Sequence, residues 1–162
     1  MNIPQTYIGS KRPSSSNINP IKNDDSYMSE FPKPKGGFWT SSLIKVDEKY
    51  TSKWVQHRQK TNWTISENED LYILIPSDTN LLTIENKSTF ESLKSNYTIN
   101  NKSRHRHINF EKIKSDGYSG VRVTSNALSF LKGWDCESTI WFNWCFKSVE
   151  NVPHSKCLID FK

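Results

Sequence analysis

"LYILIP", residues 71–76, constrains the fold more than any other stretch. It is a short apolar run of β-type residues stopped by a proline, which predicts a buried strand. "NLLTIE" (80–85) predicts a second strand close behind it. "TYIGS" (6–10), "GFWTSSLI" (37–44), "YSGVRVTS" (118–125) and "STIWFNWCF" (138–146) predict further strands. Short helices fall between them. One covers 51–60, with Thr51 or Ser52 as N-cap and Trp54 and Val55 on its inner face. Another is opened near Ser88 by a capping-box pattern that ends in Glu91, and runs to about Lys94. A third lies in 108–117 and is closed by Gly117, while "NALSFLKG" (126–133) reads as irregular or as a helical turn. The polar stretches 11–35 and 96–107 predict long loops, and no repeat is visible. This order predicts an α+β domain spanning 1–162, with a split mixed sheet and short helices.

A chain of 162 residues holds one core comfortably and two poorly. Only 34% of it is hydrophobic, but six Trp, six Tyr and eight Phe bury a large area per residue and argue for a folded, aromatic core. No apolar run approaches the roughly 20 residues of a membrane span, and residues 1–30 lack a signal-peptide core. The expectation is a cytoplasmic protein with no membrane partner. Cys136, Cys145 and Cys157 are odd in number and form no close pair, which argues against a disulfide framework. The net charge of +5 is carried mostly by lysine and favours anionic ligands, a dinucleotide included.

Two stretches combine residue types that a plain strand does not need. "KPKGGFWTSSL" (33–43) joins a glycine pair, two large aromatics and three hydroxyls. A ligand site uses all three, for close backbone approach, ring stacking and hydrogen bonding; an ordinary turn beside core aromatics is the simpler alternative. "WDCESTIWFN" (134–143) places Asp135 and Glu137 two apart before an apolar run, so in extended backbone they face the same way. Such a pair divides labour in acid–base or charge-stabilising chemistry. An isolated D-x-E more often simply marks the polar start of a strand. Cys136, between them, reads as a core residue and not a nucleophile. "SRHRH" (103–107) reads first as a solvated basic loop and next as a partner contact. A metal site on His105 and His107 comes last, because His57 and His154 are distant in sequence and no Cys-x-x-Cys supports zinc.

Taken together, "YIGS", "KPKGGFWTSS", "LYILIP", "INFEKI…GYSGVRVT" and "WDCESTIWFN" resemble, in order and character, the ADP-ribosyltransferase-like proteins. The similarity is to small bacterial and phage members with G-G-[LF]-W-x-S and W-D-x-E-S segments, and it touches most of residues 6–146. The resemblance implies a split mixed sheet with NAD, as substrate, in its central cleft and three motifs on separate strands. Ser41 then matches the hydroxyl-bearing second motif, with Thr40 and Ser42 beside it. Trp39 and Phe38 support the nicotinamide side, with Gly37 giving close backbone approach. Glu137 matches the catalytic glutamate that binds a hydroxyl of the nicotinamide ribose. Asp135 falls where some arginine-modifying members carry a second acid. At the first motif the pattern's Arg or His is replaced by Ile8, leaving Lys11 or Arg12 to reach the dinucleotide from just past the strand. No metal is implied.

Three functions follow as expectations. The first is NAD-dependent mono-ADP-ribosylation of a macromolecular acceptor, protein or nucleic acid. The second is a nucleotide- or protein-binding module on the same fold without catalysis. The third is a basic nucleic-acid-binding protein; against it, basic and aromatic residues do not alternate along a strand as on a stacking platform.

Overall fold

The computed structural model describes residues 3–24, 31–100 and 106–162. Its strands are β1 (Gln5–Gly9), β2 (Asn19–Lys22), β3 (Lys35–Val46), β4 (Lys49–Ser52), β5 (Asp70–Pro76), β6 (Leu81–Ile84), β7 (Thr98–Asn100), β8 (Arg106–Ile108), β9 (Gly120–Val123), β10 (Ser138–Trp141) and β11 (Phe146–Val152). Among the described residues three α-helices, α1 (Lys53–Lys60), α2 (Lys87–Tyr97) and α3 (Phe110–Ser115), intervene. The main sheet runs β11-β5-β1-β3-β10-β9-β6, and β2 and β4 also pair with β3. Its neighbours are antiparallel except β6 and β9, which are parallel. The expected single α+β domain with a mixed sheet is therefore present. Among the described residues no helix is long and apolar enough to cross a membrane.

β5 explains why its sequence is so apolar. Leu71 and Ile73 join the cluster under α1, with Val55, Ile65 and Val152. Tyr72 and Leu74 join an aromatic cluster on the other face, with Phe38, Trp141 and Phe146. Both faces are buried, so the run loses the polar alternation of a half-exposed strand. A third cluster packs α2 and α3 against β9 and β10 through Phe90, Leu93, Ile113, Val121, Val123 and Ile140.

Several elements differ from the sequence reading. The glycine pair lies inside the long strand β3, in left-handed backbone at φ +79° and +68°. A Cβ on Gly36 would stand 2.0 Å from the Pro20 carbonyl oxygen, and one on Gly37 would stand 2.6 Å from Ile140 Cγ1. The glycines thus let β2 and β10 press onto β3, which is a packing requirement. Ser52 caps α1 as expected, accepting from the Val55 N–H. The capping box of α2 is built from Asn86 and Thr89, two residues before the expected pair, and the helix runs on to Tyr97. Residues 96–107 are therefore not one loop: β7 and β8 form a hairpin from its ends. His105 lies outside the described residues, while His107 on β8 is buried, contrary to the expected exposure. "STIWFNWCF" is two strands, because the chain leaves the sheet after Trp141 and re-enters at Phe146 to pair with β5.

Candidate active site

β3 changes partners where its hydroxyl residues lie. β10 pairs with residues 38–40, with Thr139 opposite Thr40, and β4 pairs with residues 43–46, with Ser52 opposite Leu43. Between those two ladders stand Ser41 and Ser42, which pair with Thr6 and Gln5 of β1 along the other edge. The carboxylate of Glu137, from the bend just before β10, fills the interval. Its Oε2 accepts the Ser42 backbone N–H at 3.0 Å and the Ser41 hydroxyl at 2.9 Å, and its Oε1 accepts the Ser42 hydroxyl at 2.6 Å. Arg122 of β9 approaches the same Oε1 through Nε at 3.4 Å. Ser41 Oγ also accepts the Trp54 N–H at 3.3 Å, tying the first turn of α1 to the site. Glu137 is 5% exposed, and burial of a carboxylate at this depth is tolerable only with such partners.

Thr40 has a different set of partners. Its hydroxyl donates to Gln5 Oε1 at 2.7 Å and accepts from Trp141 Nε1 at 2.8 Å, linking β1, β3 and β10. The segments expected to carry the site, "YIGS", "TSS" and the stretch around Glu137, are thus brought together on three neighbouring strands.

A cleft of about 580 Å³ opens beside this junction, within the size range of small-molecule sites. β1 contributes Thr6, Tyr7 and Ile8; β3 contributes Trp39 and Thr40; Asp135 and Cys136 come from the approach to β10, and Ser138 is its first residue. Trp54, Arg58, Trp63 and Glu69 close it from α1 and the segment leading to β5, and Lys33 and Pro34 stand at β3's start. Trp63 is 56% exposed and meets Trp54 edge-on, with ring centroids 5.3 Å apart. Arg58 lies over the Trp63 ring at 5.1 Å and holds Glu69 by two bonds of 3.0 and 3.1 Å. Those hydrogen bonds from Arg58 hold the Glu69 carboxyl below its ordinary range, against the opposing effect of burial. Lys33 pairs with Asp135 across the cleft and lies 6.0 Å from the Trp39 ring centre.

The expected site residues divide accordingly. Ser41, Ser42 and Glu137 form one hydrogen-bonded unit, and Trp39, Thr40 and Asp135 line the cleft beside it. Asp135 and Glu137 do not act as a pair on one strand face: a bend precedes β10, and each has its own partners. Gly37 lies against Ile140, away from the cleft lining. Lys11 is exposed, and Arg12 donates to the Val149 carbonyl on β11 at 2.6 Å, two strands away from the cleft side of β1. Ile8 itself lines the cleft. Cys136 also lines it, with its thiol pushed up to about 11 by burial and by the adjacent Glu137 and Asp135 charges, so it is a poor nucleophile.

Sequence reasoning missed Arg122, Trp54, Arg58, Trp63 and Lys33. Trp54 is the one with a local signal, sitting one residue after the first of a capped helix beside the hydroxyl segment in space. No protein-family model, curated protein or solved structure matches the chain.

Proposed function

We propose that the chain is an NAD-dependent mono-ADP-ribosyltransferase acting on a macromolecular acceptor, protein or nucleic acid, in the cytoplasm. The observation that carries this reading is the 2.9 Å contact between Ser41 and Glu137, 96 positions apart and beside an aromatic cleft. In the reaction, the bond between the ribose C1′ and the nicotinamide nitrogen breaks and nicotinamide leaves with the electron pair. A nucleophile of the acceptor then bonds to C1′ and gives up a proton. The ribose is cationic at the peak of this process, and a fixed carboxylate nearby lowers that barrier. Glu137 supplies the charge, and Ser41 and Ser42 hold its two oxygens in place. Glu137, Ser41 and Ser42 lie behind the cleft lining, so a ribose hydroxyl meets the carboxylate by displacing one serine donor. Trp39, Trp54 and Trp63 offer faces and edges for the planar rings of the dinucleotide, and Lys33 and Arg58 offer cations for its phosphates.

A second reading is a binding module that holds a nucleotide or a protein without turnover. Two observations favour it: all the closest contacts of Glu137 are already satisfied within the chain, and Ile8 lines the cleft where the resemblance asks for a cation. The two readings part in one experiment, NAD titration with parallel assay of free nicotinamide and of acceptor labelling by biotinylated NAD in lysate. Binding with release or labelling supports the transferase. Binding with neither supports the module, and no binding removes both nucleotide readings.

A further inference from the structure

On the sheet's other side, a separate crevice of about 240 Å³ lies between β1, β6 and β9. Its polar lining is Gln5, Thr79, Asn80, Thr83 and Arg122, and Trp141 also lines it. Among the described residues no acidic side chain lines it. In the large cleft, Lys33 and Arg58 each pair with a carboxylate of the same lining, whereas Arg122's partner, Glu137, lies outside the lining of the crevice.

Arg122 is held loosely. Its contacts to Glu137 Oε1 and to Ser42 Oγ are both 3.4 Å, well beyond the roughly 2.7–2.9 Å of a charge-assisted hydrogen bond. The two serines donate to the same carboxylate at 2.6 to 3.0 Å, closer than Arg122 comes. The rest of the guanidinium has no hydrogen-bond partner among the described residues, and its side chain is 20% exposed. An anion entering the crevice therefore meets a cation with free donors, and hydroxyl and amide groups around it.

We propose that this crevice binds a small oxyanion, a phosphate group either free or as a monoester, with Arg122 as the charged contact and Asn80, Thr79 and Thr83 as neutral donors. The crevice is smaller than the roughly 300–1,000 Å³ of drug-sized ligand sites and shares no lining residue with the large cleft, so the two are distinct. The inference does not rest on transferase activity.

The test is calorimetric titration of the full chain with inorganic phosphate and, separately, with glycerol phosphate, at low ionic strength. Saturable binding with a Kd of about 1 mM or tighter is expected for at least one of them. Preference for the inorganic ion assigns the site to free phosphate, and preference for the ester assigns it to a phosphate carried on a larger molecule. Arg122→Gln weakens binding at least about tenfold. Asn80→Ala, at an exposed position that leaves the core untouched, weakens it by a smaller factor and guards against misfolding of the arginine variant. Lys60→Gln, at the exposed end of α1 and outside both linings, leaves it unchanged. Absence of saturable binding overturns the proposal. So does binding that survives both crevice substitutions, or that is lost with Lys60→Gln.

Discussion

Ser42 donates both its backbone N–H and its hydroxyl to Glu137, at 3.0 and 2.6 Å, so the carboxylate completes a ladder that β10 and β4 leave open on β3. The same group is thus a structural plug and the candidate for charge stabilisation.

Ser41→Ala removes the hydroxyl that reaches Glu137 and leaves the Trp54 N–H without its acceptor. A loss of about 1–3 kcal/mol in urea unfolding is expected, the usual cost of orphaning a buried polar group. A variant as stable as the parent contradicts the described geometry.

Gly37→Ala is destabilising for two reasons. The residue sits at φ +68°, and its added methyl would stand 2.6 Å from Ile140 Cγ1 and 3.1 Å from the Trp141 carbonyl oxygen. Strain and overpacking together cost about 2–4 kcal/mol, measurable as a drop in the denaturation midpoint. An unchanged midpoint would show that β3 and β10 do not approach as described.

Glu69 shapes the acid limb of stability. Hydrogen bonds from Arg58 keep its carboxyl below the ordinary value of 4.5, so the unfolded chain binds this proton more readily than the folded one. Its contribution is complete above about pH 4.5 and is lost as pH falls through the lower folded-state value. Glu69→Gln flattens that limb, as read from unfolding free energy against pH. A limb of unchanged slope contradicts the assignment.

The three thiols are held up by burial, Cys136 and Cys157 to about 11 and Cys145 in the same direction. At pH 8 the native protein is expected to react with iodoacetamide far more slowly than the urea-unfolded chain. Rapid native alkylation mapped to Cys136 by mass spectrometry would reopen its exclusion as a nucleophile.

What the sequence shows depends on how far each signal reaches along the chain. β5 was legible because both of its faces are buried, and α1 because Ser52 caps it within four residues. β11 was not, since it is an edge strand whose exposed residues, such as Lys147, Glu150 and Asn151, leave little alternation to read. β2, with Pro20, fails every strand pattern and exists because Gly36 lets its backbone approach β3. At the site, the hydroxyl segment and Glu137 were found from the motifs themselves. Arg122 was not, because it has no local motif and only the folded sheet carries it to Glu137; Trp54 follows a legible helix cap, but its contact with Ser41 exists only in the fold. The purpose read for the glycine pair, approach to a ligand, proved to be approach to neighbouring strands.

Removing the charge of Glu137 separates its catalytic role from its structural one. Glu137→Gln keeps the side chain's length and an oxygen for the serines while removing the negative charge. In a nicotinamide-release assay with matched NAD titrations, and circular dichroism to confirm the fold, the parent is expected to turn over. The variant should then bind NAD nearly as well yet lose turnover by about 100-fold or more, because the charge acts mainly as the ribose becomes cationic. Equal turnover in parent and variant contradicts the role given to Glu137. A parent that binds NAD and releases no nicotinamide contradicts the transferase reading itself.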